Sequence, residues 1–155
     1  MKILLAQHGD SLPEHVDPER PLSDRGRDDV IGMARLLGAS GVGVRRICHS
    51  GKLRARQTAE LLAPHVAPDA IVEAVAGLNP NDPIEPTADR VAGWADDTLI
   101  VGHLPFLARL AARLIGASDE RPVIAFQPGS IVCLERDTAG IWVIAWMLRP
   151  ELLPS

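Results

Sequence analysis

Apolar and polar positions fall in blocks along the chain, and the period of the blocks changes from one to the next. Residues 3–6 form an unbroken apolar run that stops at Gln7-His8-Gly9-Asp10, as a strand buried on both faces would. Beyond a polar loop, Ser23 stands where it can cap a helix, with Val30, Met33, Ala34 and Leu37 recurring at spacings of three and four as its core face. Gly38 and Gly41 are expected to end that helix. Residues 44–48 predict a second strand. A helix over 52–65 follows, with Leu61, Leu62 and Val66 on one side and Pro64 and Pro68 closing the region.

Residues 70–75 predict a third strand, and the proline- and turn-rich stretch 77–86 (GLNPNDPIEP) a loop. A weakly patterned helix over 87–94 precedes a strand over 98–101. The clearest helical stripe of the chain comes next: Leu107, Leu110, Ala111, Leu114 and Ile115. The last third changes character, with strand-like runs at 123–126, 130–135 and 141–147, the last two joined by a hairpin loop at 136–140. Alternating strands and helices followed by a hairpin predict one α/β domain over residues 1–155. Its three layers would be a mainly parallel central sheet, flanking helices and antiparallel additions at the C-terminal end. No repeat or low-complexity tract divides it.

Composition narrows this picture without redirecting it. A chain of 155 residues, 46% of them hydrophobic, can bury roughly two-thirds of its unfolded surface and needs no disulfide or metal staple. The two cysteines, Cys48 and Cys133, lie in apolar runs and read as reduced core residues, for which a cytoplasmic setting is the expectation. Residues 3–6 are too short for a signal peptide, and no apolar run approaches the roughly 20 residues of a membrane helix. The net charge of −4 argues against a nucleic-acid partner.

Chemistry should sit where open α/β sheets bind ligands, outside the carboxyl ends of the strands. Three predicted strand ends carry polar residues beside glycine: Gln7-His8-Gly9, His49-Ser50-Gly51 and Gly102-His103. Two lead directly into helices, whose amino ends favour anions. Arg54, early in the helix after Ser50, is placed to point back at these ends, whereas Arg56 reads as solvated. One histidine nucleophile, an arginine and a second histidine can handle a phosphoryl group: a neutral imidazole attacks phosphorus while cationic donors hold the equatorial oxygens. No carboxylate cluster, His-x-x-x-His or paired-cysteine motif points to a metal or other cofactor. His15, His49 and His65 read as structural or surface residues.

Four stretches, in order, carry a resemblance: QHGD at 7–10, RPLSDRG at 20–26, SGKLRARQT at 50–58 and VGHLPFL at 101–107, with WMLRPELL at 146–153 as a further likeness. The chain resembles the histidine phosphatase (phosphoglycerate-mutase-like) superfamily, specifically its small branch of SixA-type phosphohistidine phosphatases. The resemblance implies that His8 is the nucleophile that becomes phosphorylated, Arg54 a phosphate clamp and His103 a second phosphate-contacting histidine. Arg20 and Gln7 would also line the phosphate. Gly9 is expected to leave room for phosphate, and Gly26 either to keep a side chain out of the site or to serve packing.

Two departures stand out. The family's usual Arg-His-Gly is Gln7-His8-Gly9 here, which keeps amide donors but loses the charge and the bidentate fork. Losing one preorganised donor typically costs about 2.7–4 kcal/mol of transition-state stabilisation, and a replacement that still donates should lose less. Gly51 stands where the family often has proline. Larger members supply a carboxylic acid to the leaving group; Asp82 and Glu85 are the only candidates on the corresponding loop. The absence of a clear acid fits a phosphohistidine substrate, because imidazole leaves phosphorus more readily than an alkoxide. The implied activity is therefore hydrolysis of phosphohistidine on a carrier or phosphotransfer protein in signal transduction, by a monomer. A small-molecule phosphomonoesterase and a phosphate-binding pseudophosphatase are the alternatives.

Overall fold

The computed structural model describes residues 1–154. Six strands, β1 (Lys2–Gln7), β2 (Arg46–His49), β3 (Val72–Ala74), β4 (Thr98–Gly102), β5 (Ile131–Arg136) and β6 (Trp142–Leu148), form one sheet in the order β3-β2-β4-β1-β5-β6. β1, β2, β3 and β4 run parallel, while β5 and β6 join antiparallel on the β1 side. Four helices, α1 (Asp24–Ala39), α2 (Leu53–Val66), α3 (Glu85–Ala92) and α4 (Phe106–Leu114), cover the two faces. Strand alternation divides the core between them. Leu4 and Ala6 of β1 pack with α1 and α2, and Ile3 and Leu5 pack with α3 and α4. The expected three-layer α/β architecture is the one observed.

Local chemistry explains most boundaries. Ser23 caps α1 by accepting the Gly26 N–H, as its position predicts. Gly38 lies inside the last turn of α1, and the chain turns out at Gly41 with φ 75°. Pro64 does not close α2, which runs on to Val66, since a missing N–H in the last turn forfeits only one bond near a fraying end. Helix α3 starts at Glu85, two residues before the predicted start, because Pro86 suits the first helical positions where no N–H partner is needed.

The strand predicted at 123–126 is absent. Ile124 and Phe126 do face the core, which accounts for the alternation in the sequence. They reach it from irregular backbone that pairs with no strand of the sheet.

Two glycines hold the segment after β1 against α1. A Cβ on Gly9 would stand 2.8 Å from Val30 Cγ2 and 3.0 Å from the Gly26 carbonyl. The expectation that Gly9 makes room for phosphate is thus corrected: its side is filled by the helix. Gly26 serves packing for the reciprocal reason, since a Cβ there would overlap the Asp10 carbonyl.

Candidate active site

Because β4 lies between β1 and β2, the three polar strand ends are neighbours at the carboxyl edge of the sheet. His8 continues β1 and donates its backbone N–H to the Gly102 carbonyl at 3.0 Å. Its ring Nδ1 is 2.7 Å from the Gly9 carbonyl. A carbonyl only accepts, so Nδ1 carries the hydrogen and Nε2 is left with the lone pair. Burial pushes the His8 pKa down to about 4. The Gly9 bond opposes that shift, Arg54 and Arg20 add to it, and Asp10 opposes it. The half-buried ring is therefore a neutral imidazole at neutral pH, which a nucleophile requires.

His103 follows β4, is 2% exposed and holds its ring centroid 5.0 Å from that of His8. Burial, followed by His8, Arg54, Lys52 and Arg20, pushes its pKa down to about 3. Its Nε2 lies 2.6 Å from Ser50 Oγ. Arg54 is the second residue of α2 and adds its charge beside both rings. Its own pKa is lowered by burial and by Arg20. Gln7 is 8% exposed and by alternation shares the Ile3 and Leu5 face of β1.

Three buried polar side-chain atoms here have no hydrogen-bond partner among the described residues: Gln7 Oε1, Arg54 Nε and His103 Nδ1. Only Arg149 Nε shares that status, and it faces Glu151 Oε1 at 3.0 Å as an ion pair. An unpaired buried polar group costs about 1–3 kcal/mol, so a cluster of them at one strand edge argues for a ligand that completes it. Arg54 Nε can only donate, so the ligand that satisfies it is an acceptor, as an anion is.

Arg20 also reaches this edge. Its backbone takes φ 50°, a left-handed conformation unusual for a residue with a side chain. Its guanidinium is held by Ser11 Oγ at 2.9 Å and the Leu12 carbonyl at 3.3 Å, which leaves further N–H groups free. The two loop carboxylates go elsewhere. Asp82 accepts the Asn79 N–H at 2.9 Å within its own turn. Glu85 pairs with Arg113 at 3.6 Å, and Arg113 lies in the last turn of α4. That end of α4 is about 13 Å of helical rise from its start beside His103. Neither carboxylate has a hydrogen bond or ion pair to His8: Asp82 is engaged in its own turn and Glu85 with Arg113.

Sequence reasoning missed two residues that build the site, Thr58 and Ser50. Thr58 accepts the Gly9 N–H at 3.0 Å and donates to the Arg54 carbonyl at 2.8 Å, tying α2 to the nucleophile loop. Its place four residues after Arg54, on the same helix face, was the available signal. Ser50 is the partner of His103, which only the strand order could reveal. His49, expected to be structural or superficial, is structural: it is buried, its Nδ1 accepts the Gly51 N–H at 3.0 Å, and burial lowers its pKa. Gly51 itself sits at φ 92°. Proline has neither that φ nor the N–H, so the Gly51 departure redirects the loop that carries Ser50.

The two lowered histidine pKa values set a pH dependence. With the reactive form neutral, the rate constant for attack by His8, corrected for substrate ionisation, is expected to stay level from pH 7 to about 5. It should then fall tenfold per unit below the pKa of about 4. An unperturbed imidazole would lose activity from about pH 6.5. The unfolded chain binds protons first between these values, so stability should decline as pH falls below about 6.5, on these two histidines and on His49, whose pKa is lowered in the same direction. Stopped-flow rates and denaturant midpoints from about pH 3 to 8 measure both.

No family model matches the chain. Phosphohistidine phosphatase SixA of Escherichia coli (strain K12) is 26% identical to it over 155 residues, covering 97% of this chain and 94% of that protein. The structure of the protein histidine phosphatase SixA complexed with tungstate superposes with a TM-score of 0.84 at 25% identity, over 97% of each chain. The alpha-ribazole phosphatase from Shigella flexneri shares the fold, with a TM-score of 0.78 at 18% identity and 97% of each chain covered.

A histidine presented at a strand end amid unpaired polar atoms, on a fold shared along nearly its whole length with these proteins, defines the class. The chain belongs to the histidine phosphatase superfamily. Within that superfamily its end-to-end likeness to SixA puts it in the SixA-like branch.

Proposed function

We propose that the protein is a phosphatase that works through a phospho-His8 intermediate and hydrolyses phosphohistidine on a protein partner. The lone pair on His8 Nε2 attacks phosphorus as the bond to the leaving nitrogen breaks; that imidazole, protonated on its other ring nitrogen, keeps the electron pair and departs neutral. Water then attacks phospho-His8, returning inorganic phosphate and free His8. Arg54, Arg20 and His103 hold the equatorial oxygens as charge shifts through the transition state.

The observation that carries this reading is the Nδ1–Gly9 bond, which aims a neutral Nε2 into a cluster of unpartnered polar atoms. The substrate class rests on the leaving group. The Asp82 and Glu85 carboxyls are engaged in their own turn and ion pair, and Asp10 accepts the Ser23 hydroxyl at 2.6 Å. With these carboxyls occupied, phosphohistidine, whose ring can take its proton from solvent near neutral pH, fits better than an alkyl ester, whose oxygen needs a positioned acid. The likeness to a phosphohistidine phosphatase points the same way.

Substrate profiling tests it directly. Turnover of a histidine-phosphorylated phosphotransfer domain should exceed that of sugar phosphates by on the order of 100-fold or more in kcat/KM. Equal rates would support a small-molecule phosphomonoesterase instead.

Gln7 is read as attenuation of this activity. Arginine at position 7 restores a charged fork, so Gln7→Arg should raise kcat by about tenfold to 100-fold over a measurable wild-type rate. Activity arising from none would mean that the natural chain is a binding module.

A further inference from the structure

Ser50 has no part in the reading above, yet it makes the shortest polar contact with His103. Its Oγ lies 2.6 Å from His103 Nε2 and also accepts the Lys52 N–H at 3.3 Å. Nδ1, on the other side of the ring, is buried beside His8 with no partner among the described residues. We infer that Ser50 is a positioning residue that donates its hydroxyl hydrogen to His103 Nε2, so that the ring's one N–H sits on Nδ1 and is offered to the transferring phosphoryl group.

The argument is a count of hydrogens. His103 is 2% exposed and sits among Arg54, Lys52 and Arg20, so it stays neutral and carries a single N–H. If that hydrogen were on Nε2, pointing at Ser50, Nδ1 would turn a lone pair toward an anionic ligand and repel it. With the hydrogen on Nδ1, Nε2 must accept, and the Ser50 hydroxyl is the donor within reach. The Lys52 N–H occupies one lone pair of Oγ and leaves its hydrogen free for the ring. Gly51, at φ 92° and bonded to His49 Nδ1, fixes the turn that presents Ser50. Through this chain the His49-Ser50-Gly51 strand end sets the tautomer of a histidine on a different strand.

The inference rests on the phosphoryl-transfer reading for its purpose, but the tautomer can be tested without activity. In wild-type protein labelled with nitrogen-15 at histidine, proton–nitrogen correlation should place the His103 hydrogen on Nδ1. Ser50→Ala should abolish that preference, and Ser50→Thr should keep it. In turnover, Ser50→Ala should lower kcat by about tenfold to 100-fold with KM within about twofold, and Ser50→Thr should recover most of the loss. The donor is lost mainly where charge develops, which is why kcat moves and KM does not. A hydrogen on Nε2 in the wild type, or a Ser50→Ala enzyme with unchanged kcat, overturns the inference. An Nδ1 hydrogen in a protein without phosphatase activity would overturn the proposed reaction and leave the tautomer assignment standing.

Discussion

His8→Asn is expected to abolish turnover, lowering kcat by on the order of 10⁶-fold, the scale seen when a covalent nucleophile is removed from an otherwise intact hydrolase site. Asparagine keeps an amide near the position of Nδ1 and fills much of the ring's volume, so the fold should persist. His8 lies at the end of a strand whose preceding residues, Ile3 to Ala6, are buried and paired on both sides. Nothing else at this edge can replace the nucleophile. His103 is 2% exposed, and His49 Nδ1 is committed to the Gly51 N–H. The variant should still bind inorganic phosphate, because Arg54, Arg20 and His103 are untouched. Loss of turnover with retained phosphate binding, read by calorimetry, separates a missing nucleophile from a collapsed site.

Arg54→Ala should cost about 10²- to 10³-fold in kcat and weaken phosphate binding as well. In a site with arginine before the nucleophile, two strong cations would share the phosphate. Here position 7 is an uncharged glutamine, and Arg20 spends part of its fork on Ser11 and Leu12. On the proposed reaction Arg54 therefore carries a larger share, and its buried, unpartnered Nε is a donor available to the ligand. Arg54→Lys should recover only part of the loss, since an ammonium keeps the charge without the planar fork. The change leaves α2 intact in physical terms. Alanine is a good helix former, and Thr58 bonds to the Arg54 backbone carbonyl, which the substitution preserves. A loss of less than about threefold would mean that Arg54 is not a phosphate ligand.

Much of this site was legible before any coordinate. Short apolar runs ending in Gln7-His8 and Gly102-His103 located two of its side chains, and the Leu107–Leu110–Ala111 stripe located the helix behind them. What the sequence could not supply was lateral order. β4 is fourth along the chain yet lies between β1 and β2, and only that insertion sets Ser50 against His103. Gly9 misled for a related reason. A glycine beside a nucleophile invites a ligand-based explanation, but the crowding comes from Val30 and Gly26 on a helix at least 17 positions further along the chain. Residues 123–126 misled in the opposite direction, since Ile124 and Phe126 alternate like a strand yet enter the core from backbone that pairs with no strand of the sheet. Glu85 could not be placed from its loop, because its partner Arg113 belongs to another helix. Local periodicity is readable from neighbours in sequence; partners brought together by topology are not.

Trapping the intermediate tests the central claim most directly. The protein would be mixed with a histidine-phosphorylated phosphotransfer domain for milliseconds to seconds, quenched in alkali and mapped by mass spectrometry. The account predicts a phosphoryl group that is stable to alkali and labile to acid, carried on the peptide that contains His8 and absent from His8→Asn. Phosphate released at a normal rate with no label on His8, or with the label on another residue, would contradict it.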